Sequence, residues 1–271
     1  MTETAECLAA EIRRVVGEEL EGLDRVGIMF SGGLDSSVLA ILARKHCDVM
    51  LYTLGNEKSH DSVWSAECAH MIDLPLTLIR YSEKDVRDSL GNVILKHGMT
   101  RARWVSTFVA FDLALRNIRE GNVICGQGAD EAFGGYRKYT ESPDPRAQMD
   151  SDISALVEEE MPEYRKMAGH YGKSLIAPFL EPGILGLAAA VPANQSLGPE
   201  GNKLVLREAA EIIGVPGMMA TRPKKAMQYG SGVSAAIKRI LKDSGTDLDS
   251  FINSLVQMGA CQGFSDIGTN C

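Results

Sequence analysis

Residues 30–37 read Phe-Ser-Gly-Gly-Leu-Asp-Ser-Ser, which puts two glycines and three hydroxyls into the turn between an apolar run and a helix-forming run. Glycines such as Gly32 and Gly33 let backbone N–H groups come close to an anion, and a helix start adds its positive dipole end. Ser31, Ser36 and Ser37 can donate hydrogen bonds to phosphate oxygens. A carboxylate in such a cradle would repel phosphate unless a divalent cation lies between them, so Asp35 points to Mg2+ on a polyphosphate. A second glycine-rich string, Cys-Gly-Gln-Gly-Ala-Asp-Glu-Ala-Phe-Gly-Gly-Tyr at 125–136, carries the adjacent acids Asp130 and Glu131. One carboxylate from each loop, Asp35 and Asp130, is a sensible pair to hold Mg2+ on the β- and γ-phosphates of ATP. Either string alone is compatible with a capped strand-to-helix turn. A cap needs one such residue, however, and these strings hold several.

Both strings need elements that bring them together. Residues 4–21 have Ala5, Leu8, Ile12, Val15, Val16 and Leu20 at helical spacing, and 25–30 read as a short buried strand leading into the first glycine turn. A helix over 36–45, a strand over 49–54, a helix over 62–71, a strand over 76–80, helices after Lys84 and over 106–119, and a strand at 122–125 follow. Strands alternating with helices predict a parallel sheet covered on both faces, whose ligands sit at the carboxyl ends of the strands. The glycine strings fall at two of those ends and are expected to meet. The adenine is expected near Phe30, Leu54 and the backbone of Gly126. Residues 136–150, polar and with Pro143 and Pro145, read as a mobile loop or lid. Stretches 151–168, 182–190, 201–213 and 232–243 read as helical. Asp61 is expected to cap the helix it begins, and Trp64 and Trp104 are expected to pack.

Composition narrows the class. With 271 residues, 45% hydrophobic and 24% charged, the chain is an ordinary globular one. A net charge of −8 disfavours nucleic acid as a partner, because phosphate neutralisation needs clustered Lys and Arg. There is no run of about 18 apolar residues and the first residues are acidic, so a cytoplasmic protein without a membrane partner is expected. The six cysteines form no CxxC pair and the five histidines no metal-like cluster.

The motif SGGxDS is the signature of the PP-loop ATP pyrophosphatase superfamily, and it differs from the Walker loop, which is absent. Beyond it, the chain resembles the synthetase domain of glutamine-dependent asparagine synthetases and their relatives. The resemblance rests on FSGGLDSS (30–37), GQGADEAFGGY (126–136), APFLEPGILGLAAAVP (177–192), NKLVLREA (202–209) and RPKKAMQYGSG (222–232), in the family's order. It implies an α/β fold: a doubly wound five-stranded parallel sheet followed by a mainly helical portion. The division implied is a nucleotide-binding core at 1–135, a helical portion at 151–258 completing the active site, and a tail at 259–271. The reaction implied is adenylation of a substrate carboxylate by ATP, release of pyrophosphate, and displacement of AMP by an amine. Asp35 and Asp130 match the family's Mg2+-binding aspartates. Lys224 matches the lysine that reaches the phosphates, with Lys225 as the alternative.

The sequence also departs from the family. Gln127 stands where asparagine synthetases usually carry Glu, and an amide can orient a substrate but cannot take a proton. Ile176 and Ala177 stand where an Arg and an apolar residue are common, and QYGSG at 228–232 is nearer the asparagine-synthetase-domain-containing relatives. Thr2 stands where the two-domain enzymes have a glutamine-cleaving cysteine. The partners expected are therefore a small carboxylate substrate, a separate glutaminase subunit as ammonia donor, and a second copy of the chain in a homo-oligomer. Two other readings keep ATP: a thiolating enzyme using Cys125, Cys261 or Cys271, and a regulatory protein that binds ATP without turnover.

Overall fold

A computed structural model describes residues 2–56, 59–198, 201–221 and 226–261. Thr2 caps α1 (Glu3–Glu19) by accepting from the Ala5 N–H, and the helix buries Ala5, Leu8, Ile12, Val15 and Val16 along one stripe. Then come β1 (Arg25–Met29), α2 (Leu34–Ala43), β2 (Asp48–Leu54), α3 (His60–Met71), β3 (Leu76–Ile79) and α4 (Glu83–Gly91), which runs into a π-helical turn at Asn92–Lys96. The chain continues through α5 (Ala102–Asn117), β4 (Asn122–Ile124), α6 (Ala129–Phe133), α7 (Arg137–Thr140) and α8 (Pro145–Ala155). A second π-helical turn, Leu156–Glu160, leads into α9 (Met161–His170) and β5 (Ser174–Ile176).

The five strands lie in the order β3-β2-β1-β4-β5, every neighbouring pair parallel. The chain runs outward from β1 to β3 and then returns to the other side of β1, so the winding reverses between β1 and β4. Ligands bind at such a reversal, and both glycine strings emerge there.

The remainder is mainly helical: α10 (Pro182–Ala190), α11 (Ala193–Ser196), a two-stranded ribbon of β6 (Leu197–Gly198) and β7 (Gly201–Asn202), α12 (Leu204–Ile213), α13 (Gly217–Thr221), α14 (Met227–Gly230), α15 (Val233–Asp243) and α16 (Leu248–Cys261). Successive strand residues feed opposite faces of the sheet: Val49 and Leu51 join α1, α2, α10 and α12 in one core, while Tyr52 and Leu54 join α4, α5, α9, α15 and α16 in the other. Each core draws residues from both sides of position 136.

The structure corrects the expected loop at 136–150, most of which is helical. Asp144 caps α8 by accepting from the Ala147 N–H and Pro145 opens its first turn, a start signal that outweighs the polar composition. Tyr139 and Met149 from this segment are fully buried. Helix α2 begins two residues earlier than expected, so Asp35, Ser36 and Ser37 stand in its first turn. The cap of α3 is Ser59, whose side chain accepts from the Ser62 N–H, and not Asp61. β5, at three residues, is too short to show a period in the sequence.

Candidate active site

Asp35, in the first turn of α2, and Asp130, in the first turn of α6, are brought together by a residue that the motifs did not single out. The Lys203 ammonium lies 2.7 and 2.8 Å from the two Asp35 oxygens and 2.8 Å from Asp130 Oδ1. Lys203 precedes α12 in a left-handed conformation, φ 60°, and is 4% exposed. The neighbouring Asn202 donates its side-chain amide to the Gly135 carbonyl at 3.3 Å. Gly135 is required by space: a Cβ there would collide with the Asp130 carboxylate and the Lys203 side chain. The string 126–136 thus carries, just before its final Tyr136, a glycine that leaves room for the bridge the string helps to form.

Around this bridge the first loop forms a cradle. The Gly33 N–H donates to Ser31 Oγ at 3.3 Å, the Ser31 N–H to Ser36 Oγ at 3.3 Å, and Ser36 Oγ to the Gly33 carbonyl at 3.3 Å. These long bonds within the loop occupy the groups that a phosphate would take. Ser37 lies beneath the cradle, fully buried, with no partner for its hydroxyl among the described residues.

A cavity of about 410 Å3 opens from the bridge. Of the residues expected to bind or act on the nucleotide, Phe30, Ser31, Asp35, Ser36, Leu54, Gly126, Gln127 and Asp130 line it, and Asp61, Trp104, Cys125 and Glu131 line it as well. Gly32, Gly33 and Ser37 do not, although the first two shape the loop. Lys224 and Lys225 lie outside the described residues.

The far wall comes from α5, from α7 with the residue before it, and from the α8–α9 junction. Tyr136 donates to Glu131 Oε1 at 2.8 Å; burial and then the Glu131 charge push the Tyr136 phenol up, so it stays a donor. Asp152 accepts from Tyr139 at 2.6 Å and pairs with Lys138 at 2.6 Å. The Arg103 guanidinium lies over the Trp104 ring, 4.9 Å from its centroid, and Trp104 lines the cavity instead of packing wholly inside. Glu160 ends the π-helical turn, a deformation that often marks a functional position. Among the described residues its carboxylate has neither hydrogen bond nor ion pair. Burial raises its pKa, and the Arg103 charge opposes that rise. The Gln127 side chain lines the cavity beside Tyr164, on the turn after Glu160.

Cys125 lies at the inner end of the cavity. It is buried, and desolvation pushes its thiol up to about 11, so at neutral pH it is a thiol and a poor nucleophile. Among the described residues no group of three or more His, Cys, Asp or Glu side chains could hold a metal. Two carboxylates suffice for Mg2+ when phosphate oxygens and water complete its shell, and Asp35 with Asp130 is such a pair. The donor set fits: all four carboxylate atoms are hard oxygens, and three of them are already gathered around one cation. With one ammonium between two carboxylates the cluster carries a net charge of −1, and adding a pyrophosphate calls for a further cation.

Sequence reasoning missed Lys203, Glu160 and Arg103. Lys203 sat inside the block NKLVLREA without a chemical role, and a lysine ahead of an apolar run carries no spacing signal. Glu160 lies in an acidic run at 158–160 that reads as a solvated face.

A glycine turn after the first strand, a second at the winding reversal and a carboxylate from each define an α/β fold of the PP-loop kind. The chain belongs to the asparagine synthase family, whose description is matched by residues 8–174 and 149–264. It is 29% identical over 291 aligned residues to a putative glutamine-hydrolysing asparagine synthetase of Methanocaldococcus jannaschii, covering 90% of this chain and 52% of that protein. It is 22% identical to asparagine synthetase B of Escherichia coli, covering 77% of this chain and 42% of that one. The chain thus spans about half or less of these relatives' length. Among solved structures, NMN synthetase from Francisella tularensis aligns over 100% of this chain and 99% of its own, with a TM-score of 0.44 at 12% identity. No described helix is long and apolar enough to cross a membrane.

Proposed function

We propose that the protein is an ATP-dependent, AMP-forming ligase that adenylates a small carboxylate substrate and passes ammonia to it. The observation that carries this reading is that Asp35 and Asp130, bridged by the buried Lys203, line the same cavity as Glu160, whose carboxylate has no hydrogen bond or ion pair among the described residues. The adenine is placed against Phe30 and Leu54 beside the Gly126 backbone, and the β- and γ-phosphates in the cradle of residues 31–37. Asp35 and Asp130 would hold Mg2+, which when bound neutralises charge on the pyrophosphate.

In the first step a substrate carboxylate oxygen bonds to the α-phosphorus, the bond from that phosphorus to the bridging oxygen breaks, and pyrophosphate leaves. The negative charge that gathers on the leaving oxygens is met by Lys203 in a site shielded from water and, by the family's pattern, by Lys224. In the second step ammonia nitrogen bonds to the acyl carbon and the bond to AMP breaks. The attacking nitrogen must then lose a proton. Gln127 cannot accept it, whereas Glu160 can, because burial keeps its carboxylate a stronger base than one in water. Gln127 and Tyr164 then orient the acyl group.

The buried thiol of Cys125 gives the sulfur-transfer reading no support. Both ATP and ammonia are supplied in the cytoplasm, where we place the protein, with a glutaminase partner as the ammonia source. The test is pyrophosphate release from ATP with a panel of small carboxylic acids, each with and without ammonium. Acid-dependent release together with an amide product is expected; release with sulfide and none with ammonium would replace this reading by thiolation.

A further inference from the structure

Helix α3 contributes no motif to the sequence, yet it is the element on which the phosphate cradle rests. Asp61, Trp64 and Cys68 are spaced i, i+3 and i+7 and so share one face of it. Trp64 Nε1 donates to the Gly32 carbonyl at 2.7 Å, and Cys68 Sγ lies 3.5 Å from the same oxygen. Gly32 has φ +66°, and a Cβ on it would stand 2.8 Å from Trp64 Cδ1 and 3.0 Å from Cys68 Sγ, so the loop lies directly on the helix. One turn earlier, the Asp61 carboxylate is 3% exposed and sits so close to Gly230 that a side chain there would collide with it. Gly230 ends α14, whose Met227 and Gln228 line the cavity. One face of α3 therefore touches both the first glycine loop and the segment that closes the cavity from the far end of the chain.

The direction of these contacts matters. In a trans peptide the carbonyl and the following N–H point opposite ways. Drawing the Gly32 carbonyl onto α3 aims the Gly33 N–H away from the helix, into the cradle, where it donates to Ser31 Oγ. We propose that Trp64 is a positioning residue: its indole N–H fixes the Gly32–Gly33 peptide so that the Gly33 N–H faces the pyrophosphate of ATP. The proposal rests on the reading of residues 31–37 as a phosphate cradle and not on the identity of the acid or the amine.

The test is binding, not turnover. Wild-type protein and Trp64→Phe are titrated with Mg2+-ATP and with Mg2+-pyrophosphate by calorimetry, and their circular dichroism is compared. Phe keeps the ring's bulk and loses the donor, so affinity for both ligands is expected to fall about five- to tenfold, the worth of one hydrogen bond. In turnover assays the same change is expected in KM for ATP more than in kcat. Cys68→Ala removes the weaker donor and is expected to move affinity the same way by less than threefold. A second measurement does not require the variant to fold. In Trp104→Phe, Trp64 is the only tryptophan, and its emission is expected to shift on addition of Mg2+-pyrophosphate. Equal affinities of a folded Trp64→Phe and wild type, or an emission unchanged at saturating pyrophosphate, would overturn the proposal. Failure of the wild type itself to bind ATP or pyrophosphate would overturn the cradle instead.

Discussion

The two ends of the cavity are built on opposite terms. At the phosphate end the charges are largely answered: two carboxylates share one ammonium, the hydroxyls of Ser31 and Ser36 are tied into the loop, and Gly135 leaves room for the bridge. At the proposed acceptor end Glu160 lines the cavity with no hydrogen bond or ion pair among the described residues, and Arg103 lies over an aromatic ring without a salt bridge among the same residues. A compensated site is ready for a ligand whose charge is always the same. An uncompensated one stores its demand for the group that will satisfy it, in the proposed reaction an attacking amine that arrives neutral and becomes cationic. The comparison teaches that the first end should decide whether ATP is used at all, and the second what becomes of the activated acid.

The largest effects should come from breaking the compensated end. Asp35→Asn and Asp130→Asn each remove one carboxylate charge of the proposed Mg2+ site with little change in volume, and each is expected to lower ATP turnover by about 10³-fold or more while circular dichroism stays native. Near-normal pyrophosphate release in either variant would erase the contrast. Lys203→Met should cost about 10²-fold in the adenylation step, the scale of losing one preorganised charge. It also leaves two carboxylates facing each other, so its melting temperature should drop at neutral pH and recover in acid. A uniform drop at all pH values would mean that Lys203 serves packing only.

Glu160→Gln sharpens the comparison from the other side. Exchange of labelled pyrophosphate into ATP should stay within about threefold of wild type, while amide formation falls by about 10²-fold, as for a lost general base. Parallel loss of both would place Glu160 in the first step. With ammonium as donor, amide formation by a protein of these 271 residues should rise roughly tenfold per pH unit while ammonium predominates, and glutamine should be inert. Glutamine hydrolysis by that protein would end the expectation of a separate glutaminase. The smallest effect is on stability. Because the folded-state pKa of Glu160 lies above its unfolded value, its ionised form costs stability at pH values above that folded pKa, and the cost vanishes below about 4.5, where both states are protonated. Glu160→Gln should therefore melt a few degrees higher than wild type at neutral pH and no higher in acid.

The same division explains what could be read from the sequence. The phosphate end announces itself because its groups lie within eight consecutive residues after a strand, and the α/β order of elements follows from alternating short apolar runs and amphipathic stretches. Residues Asp35 and Asp130 could be paired because each sits at a strand end in a parallel sheet. Lys203 could not, since its contact with Asp35 spans 168 positions and its conformation has no local signature. Arg103, Glu160 and Trp64 belong to helices whose surface residues read as packing or solvated faces until the opposite wall is known. The helix at 145–155 was legible in principle from Asp144-Pro145, but Pro143 and the polar content of the segment argued for a loop.

The bridge between Asp35, Asp130 and Lys203 also has a consequence for the order in which the molecule is made. A ribosome releases the first two strands, the cradle and α6 long before it releases Lys203, and during that interval two carboxylates would have to approach each other in a closing interior with nothing to neutralise them. Their repulsion resists early closure of the winding reversal. Helix α1, already synthesised, waits in the same way: Arg13 reaches its hydrogen-bond partner, the Ile212 carbonyl, only after a further 199 positions have emerged. The nascent chain is thus expected to keep its two glycine strings apart until α12 docks and to complete the proposed nucleotide site late, in one cooperative event, with no half-formed site on the way.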